Sequence, residues 1–363
     1  MLNSIQFYQV KRILPFGIIW FVLGALFLSI EQIAIGDMPK TDEFAISLEP
    51  DILTYALVGI FLIGCGFGAI HVLWLEKLFR NRPLSLKVFI EFVVYLGFLE
   101  LMLLINYPVV ASMEYDVALF DPAVWSRFKH FLWSKTHLSV LLQMSFSIFA
   151  SLLYYEVSAT IGQKVLYNFF TGKYHLPVQE DRVFMFADMK DSTTIAEQLG
   201  HQDYFRFLRE YYESFSQAII RHGGEVYQYV GDEIVISWPL SKGLKNNNCI
   251  ECFFKMKHDL KRRGPTFEKR FEIRPDFNAS LHYGVITTGE IGALKKDIFF
   301  TGDVLNTTAR ILSKTSDYHQ DLLISEALSK KLNLDQGYRL KSFGSQDLKG
   351  KKMKVNILAV EKV

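Results

Sequence analysis

The sequence predicts two structural halves: a four-span α-helical membrane domain, and after it an α+β domain of ferredoxin-like architecture. Three observations lead there. Four apolar runs within the first 155 residues are each long enough to cross a bilayer, which takes about 20 helical residues. Residues 181–363 alternate apolar and charged side chains like an ordinary water-facing domain. Inside that second half the elements read strand, helix, two strands joined by a tight turn, and another helix, followed by a C-terminal extension. At 363 residues the chain has room for both halves.

The spans cover approximately residues 13–35, 52–75, 88–112 and 136–155. The first is too long for a cleavable signal peptide and has no small-residue cleavage site. Orientation follows from Lys and Arg in the short connections. Lys11 and Arg12 precede the first span, and Lys77, Arg80, Arg82 and Lys87 lie in the second connection. The first connection, 36–51, has only Lys40 against several acids, and the third, 113–135, mixes Arg127, Lys129 and Lys135 with Glu114, Asp116 and Asp121. The consistent arrangement is a multi-pass protein of the plasma or inner membrane, with its N-terminus and everything after residue 155 in the cytoplasm.

Polar residues inside the spans are costly, and His71, Glu91, Glu100 and His137 stand out among them. Glu91 and Glu100 share a helix but are nine residues apart, about half a turn out of phase, so they face opposite sides. His71 sits near the cytoplasmic end of the second span and His137 near the outer end of the fourth, so no single haem can take both. Hydrogen bonding between helices is the expected role of these residues. Residues 156–180 form a coupling segment: Ser158–Phe170 suits a helix, Gly172 and Pro177 break it, and it is too short for a long coiled coil.

Three cysteines cannot make a disulfide framework, and Cys249-Ile250-Glu251-Cys252 stands alone with no second pair, so it reads as small apolar residues on a helix. The net charge of +2 says nothing about partners, and the basic stretch Lys349–Lys354 is too short to argue for nucleic acid, so no nucleic-acid partner is expected. The expected elements of the second half are a strand at 182–187, a helix at 193–221 broken near Gly200, and strands at 225–230 and 233–238. A helix at 247–262, a strand at 277–283 and a helix at 303–314 come next, with short strands near 321–324, 337–342 and 354–361.

Two aspartates stand out in this pattern. Asp188 ends the apolar run Val183-Phe184-Met185-Phe186-Ala187, and Asp232 occupies the turn between the two hairpin strands. Acids at strand ends are held rigidly, and two together can share hard cations such as Mg²⁺. Further on, Asn306 and Arg310 project from one helical face at i, i+4, where they can orient a sugar hydroxyl and neutralise a phosphate. The combination points to chemistry on a nucleotide.

Four segments resemble the class III nucleotidyl cyclase catalytic domain, over about residues 178–363: Phe186-Ala187-Asp188-Met189, Tyr229-Val230-Gly231-Asp232-Glu233, Gly302 to Arg310, and Leu348-Lys349-Gly350-Lys351. They occur in the family's order and at similar separations. The resemblance implies that Asp188 and Asp232, with the Met189 main chain, hold two Mg²⁺ or Mn²⁺ ions per site. It implies that Asn306 positions the ribose, Arg310 stabilises charge on the α-phosphoryl group, and Lys349 holds the terminal phosphates. It further implies a homodimer, because in this family the metal pair and the Asn/Arg pair of one site come from different subunits.

The chain departs from the family at the base-contact positions. Gln228 stands where adenylyl cyclases usually carry Lys, and Phe299 where they carry Asp or Thr; the Glu and small residue of guanylyl cyclases are absent too. Gln228 can meet adenine or, with its amide reversed, guanine; Phe299 can only pack or stack; Thr301 is a neighbouring hydroxyl. The family's usual preference makes ATP the expected substrate, with GTP or a catalytically silent nucleotide-binding receptor as alternatives. A diguanylate cyclase would carry Gly at position 230 and would lack Asn306 and Arg310.

Overall fold

The computed structural model describes residues 4–35, 50–78, 82–115, 117–294, 296–334, 336–347 and 354–363. Two compact units emerge, Tyr8–Tyr167 and one built mainly from Asn168–Val363.

Among the described residues the regular elements of the first unit are all helices: α1 (Ser4–Ile35), α2 (Pro50–Ile70) continuing as a π-helical turn (His71–Leu75) into α3 (Glu76–Leu78), then α4 (Leu84–Tyr115), α5 (Pro122–Leu132), α6 (Lys135–Ile161) and α7 (Gln163–Phe170). Among the described residues, four segments are long and apolar enough to cross a membrane: Ser4–Ile30, Ala56–Leu75, Leu84–Val109 and Lys135–Ile161. Lys11 and Arg12 therefore lie inside the first helix rather than before it, and Arg12 pairs with Glu76 at 2.9 Å. Lys40 and Arg80 fall outside the described residues.

Apolar side chains such as Val22, Leu62, Phe89 and Leu142 point outward, as on helices that are apolar all round. Close approach of α1 and α2 needs small residues: a Cβ on Gly64 would lie 2.7 Å from Trp20, and one on Gly68 2.9 Å from Phe16. Polar contacts join the helices, with Trp20 Nε1 donating to Ser151 (3.1 Å), His71 Nδ1 meeting the Tyr95 hydroxyl (3.1 Å) and Glu100 lying 3.4 Å from His137. His71 makes the expected inter-helix hydrogen bond through Tyr95, and His137 makes one through Nδ1 to the Leu132 carbonyl of α5, whereas Glu100 approaches His137 Nε2 without a hydrogen bond; Glu91 and Glu100 have different neighbours. Helix α5 breaks what the sequence offered as a plain connection. Asp121 caps it by accepting from the Ala123 N–H (2.8 Å), and Pro122 opens it.

The second unit runs β1 (Val178–Met189), α8 (Ser192–Arg221), β2 (Glu225–Val230), β3 (Glu233–Pro239), α9 (Leu240–Leu244), α10 (Asn248–Phe271), β4 (Phe277–Ile291), β5 (Asp297–Thr301), α11 (Asp303–Asp317), β6 (Leu322–Ser325), α12 (Glu326–Ser329), β7 (Tyr338–Gln346) and β8 (Val355–Lys362). One sheet orders them β2-β3-β1-β4-β6-β8-β7, with β5 paired to β4. The first four strands are antiparallel neighbours, the ferredoxin-like core; β6 joins β4 in parallel, and β8 and β7 extend it.

Strand β1 is buried on both faces. Val183, Met185, Ala187 and Met189 meet the aromatic core beneath α8 and α10, whereas Phe184 and Phe186 meet Val235, Ile286, Phe300, Val304 and Leu312 on the opposite side. In the larger core the Phe277 ring packs 5.1 Å from Phe215 and 5.5 Å from Phe253, near edge-on.

Three of the differences from the sequence reading have a plain physical cause. Helix α10 passes Gly264-Pro265 and continues to Phe271, because Phe267 and Phe271 are core residues whose burial outweighs the proline penalty. Strand β4 continues to Ile291 because β5, absent from the sequence reading, pairs along its second half from Thr287↔Thr301 to Ile291↔Asp297. Strand β1 begins at Val178, since β4 is long enough to pair Val178 with Thr288. The helix break at Gly200 is present, in the left-handed region at φ 69°. Cys249 and Cys252 are buried and unpaired in α10, as small apolar residues would be.

Replacing Phe277 with Ala removes the ring shared by α8 and α10, and should cost about 3–5 kcal/mol. The denaturant midpoint of the second unit's unfolding transition measures it.

Candidate metal and nucleotide site

Asp188 is the penultimate residue of β1, opposite Asn278 of β4 in the ladder. Strand alternation puts it on the side of Phe184 and Phe186, at the rim of the face that carries α11. The β1–β3 ladder ends at Ala187↔Ile234, so the β2–β3 turn arrives beside Asp188. Gly231 turns in the left-handed region (φ 62°), which a glycine adopts without strain. The Tyr212 hydroxyl donates to the carbonyls of Gly231 (2.8 Å) and Glu233 (3.3 Å), tying the turn to α8. Tyr212 also packs on Tyr229 with ring centroids 4.6 Å apart. This clasp was not foreseen; the sequence signal was only a tyrosine pair, Tyr211-Tyr212, on an amphipathic helix.

The result is a half-buried pair of carboxyl groups held side by side. Burial, the hydrogen bond to Asp232 and the charges of Asp232 and Glu233 push Asp188 up to about 7, although the Met189 N–H donates to it. Two acids that cannot both ionise comfortably, held at a solvent-reached rim, form a donor set suited to a divalent cation, which replaces the shared proton and cancels the repulsion. The oxygen donors fit Mg²⁺ or Mn²⁺. Met189 is buried, and its main-chain N–H faces the Asp188 carboxyl.

A cleft of about 690 Å³ opens beside the pair, lined by Asp188, Met189 and Asn278 on the sheet and by Leu312, Ser313 and Ser316 on α11. Asn278 Oδ1 is buried there without a hydrogen-bond partner among the described residues. Lys190, also in the cleft, is held between Asp276 (2.7 Å) and Asp321 (2.6 Å).

Asn306 and Arg310 share one face of α11, as the spacing requires, while Val304, Thr307, Thr308, Ile311, Leu312 and Thr315 on the other face are buried. Neither side chain has a hydrogen-bond or ion-pair partner among the described residues, and neither lines the cleft beside Asp188. A single chain thus brings the two aspartates together but does not bring Asn306 and Arg310 into the same cleft.

Gln228 and Phe299 are exposed, each next to a member of a stacked pair. Tyr227 and Phe300 stack at 4.6 Å and 25°, and the Phe300 N–H donates to the Tyr227 hydroxyl (3.3 Å). A bulge in β2 between Val226 and Gln228 turns Tyr227 toward this contact. Lys349, with its neighbours 348–353, lies outside the described residues.

Residues 177–360 match the family described as the adenylate and guanylate cyclase catalytic domain. "Adenylate cyclase 2" of Rhizobium meliloti (strain 1021) is 32% identical over 205 residues, 56% of this chain and 56% of that protein. "Adenylate cyclase" of Anabaena cylindrica is 26% identical over 184 residues, 49% of this chain and 36% of that protein. The chain spans about half the length, or less, of these curated relatives. Among solved structures, a bacterial light-regulated adenylyl cyclase superposes with a TM-score of 0.53 at 19% identity, over 63% of this chain and 67% of that one; this likeness bears on the fold alone. Since the family match takes in just over half of its residues, the chain belongs to the adenylate and guanylate cyclase catalytic domain family.

Proposed function

We propose that the protein is a membrane-bound adenylyl cyclase that converts ATP to 3′,5′-cyclic AMP and pyrophosphate at sites shared between two copies of the chain. The observation that carries this reading is the division of the site: Asp188 and Asp232 are held side by side, while the unpartnered Asn306 and Arg310 stand outside their cleft. A second copy supplies what each half lacks. Apolar side chains near the β2–β3 turn and on β5 support such a contact, since Val226, Tyr229, Val230 and Phe299 are all exposed.

Cyclisation joins the ribose 3′-oxygen to the α-phosphorus, frees the 3′-hydroxyl proton and breaks the bond to pyrophosphate. Divalent cations held by Asp188, Asp232 and the Met189 main chain would acidify that hydroxyl and offset charge on the triphosphate. Asn306 orients the ribose through its amide. Arg310 meets negative charge as it grows on the α-phosphoryl oxygens, and acts without reorganising. Lys349 holds the terminal phosphates, a role resting on its motif. Gln228 pairs with the base edge and Phe299 stacks beside it. The helical unit anchors the enzyme as a multi-pass membrane protein with both termini in the cytoplasm, where ATP is available.

The adenylate cyclase names of the relatives support ATP. GTP is the second reading, favoured by one feature: the exposed Gln228 amide can present either face.

Full-length protein in detergent, given ATP and Mg²⁺ or Mn²⁺, should release cyclic AMP. Asp188→Ala should abolish the product, and Arg310→Ala should lower kcat by about 10²–10³. Absence of any cyclic product with all nucleoside triphosphates and both metals would overturn the reading. In a mixture of ATP and GTP, cyclic AMP should dominate; dominant cyclic GMP would favour the second reading.

The raised carboxyl also sets a pH dependence. Between the ordinary aspartate value of about 3.9 and about 7, the metal-free folded protein keeps a proton that the unfolded chain has released, so stability falls as pH rises through that window. Asp188→Asn removes this loss. In thermal melts without metal it should stabilise the second unit at pH 8 and have no effect near pH 4. Adding Mg²⁺ at pH 8 should stabilise the wild type and leave the variant unchanged.

A further inference from the structure

The helical unit contains a second cluster of ligating groups. His71, Glu91 and Glu156 each offer one donor atom, and the three atoms lie within 4.8 Å of one another. They come from the π-helical turn after α2, from α4 and from α6. Both His71 and Glu91 are completely buried. His71 Nε2 and both Glu91 carboxyl oxygens have no hydrogen-bond partner among the described residues.

The surroundings leave that group of atoms unsatisfied. Arg12 is paired with Glu76, and Lys87 with Glu156. Glu91 has no hydrogen-bond or ion-pair partner of its own among the described residues; Lys87, already paired with Glu156, stands near enough for its charge to act on it but makes no bond to it, and a buried acid so placed in an apolar bundle is disfavoured. The His71 ring is fixed from behind: its Nδ1 meets the Tyr95 hydroxyl at 3.1 Å, and its edge meets the Tyr155 ring at 4.2 Å. When Nδ1 donates to Tyr95, the buried Nε2 keeps its lone pair free for a cation. This is how metal-ligating histidines are held by a second shell. The π-helical turn adds to the case, because such bulges re-aim a side chain and recur at functional positions.

We propose that His71, Glu91 and Glu156 bind a divalent transition-metal cation that bridges three helices of the bundle. One imidazole and two carboxylates suit Zn²⁺ with a fourth position open to water. Hard cations alone would leave the imidazole without a role. Ligand atoms on one tetrahedral Zn²⁺ lie about 3.3 Å apart, so the present spacing closes on binding by small side-chain movements. The Glu156 carboxylate serves both neighbours, one oxygen to the Lys87 ammonium and the other to the cation. The cation supplies the charge that Glu91 lacks. This site owes nothing to the cyclase reading.

The test uses full-length protein carrying Asp188→Asn and Asp232→Asn, so that metal at the aspartate pair does not contribute. After exposure to Zn²⁺ and removal of free metal, one Zn²⁺ per chain should remain. Adding Glu91→Gln or His71→Gln should weaken retention by about 100-fold or more, beyond the loss typical of second-shell changes. Glu100→Gln should have no effect. Co²⁺ titration of the unaltered bundle gives a reading that does not depend on the variants folding: a visible spectrum of low-symmetry nitrogen and oxygen coordination is expected. Zn²⁺ retention that is absent, or that survives both substitutions in folded protein, overturns the proposal. So does a featureless Co²⁺ spectrum, or a bundle that holds no metal yet is stabilised by Glu91→Gln, since Glu91 would then simply carry a proton.

Discussion

Two carboxyl groups are held side by side at the end of β1, and the geometry around them keeps them from separating. Strand β1 is buried on both faces and hydrogen-bonded on both edges, so Asp188 has little freedom to retreat. Asp232 is brought up by a turn that Gly231 permits and Tyr212 fastens. Each device that stabilises the sheet therefore also enforces a repulsion, which a proton relieves in the metal-free chain and a divalent cation relieves better. Rigidity at this point matters more than affinity: carboxylates fixed before substrate arrives need no reorganisation when charge develops.

The aspartates were legible in the sequence because each ends a local pattern. An apolar strand that stops at an acid, and a Gly-Asp pair between two alternating runs, are signals contained within a few residues. Asn306 and Arg310 were legible for the same reason, since i, i+4 spacing fixes a shared face whatever the tertiary context. What stayed hidden depends on distant partners. Strand β5 is only Asp297–Thr301 and exists because β4 offers it an edge. The continuation of α10 past Pro265 is set by where Phe267 and Phe271 find the core. Tyr212 gains its role from a turn 19 residues away.

The helical half makes the same point with greater sequence distances. Phase alone established that Glu91 and Glu100 face apart, and they do meet different histidines, Glu91 near His71 and Glu100 near His137. No spacing rule could add Glu156 to the first of these, because it belongs to a helix 65 residues further along the chain. Helix α6, which carries Glu156, continues to Ile161; Gly162 then breaks it (φ 97°), and α7 leads by way of Gly172 into β1. The strand that ends in Asp188 is therefore the first sheet element that the bundle's last long helix reaches.

Sharing of each site between two copies is the central claim, and subunit complementation tests it most directly. Full-length Asp188→Ala and Arg310→Ala chains, each nearly inactive alone, are co-expressed and purified together. A site divided across a two-fold interface requires that mixed dimers regain one intact site, returning about a quarter of wild-type cyclase activity. Activity no higher than that of either variant alone, in preparations shown to contain mixed dimers, would contradict it.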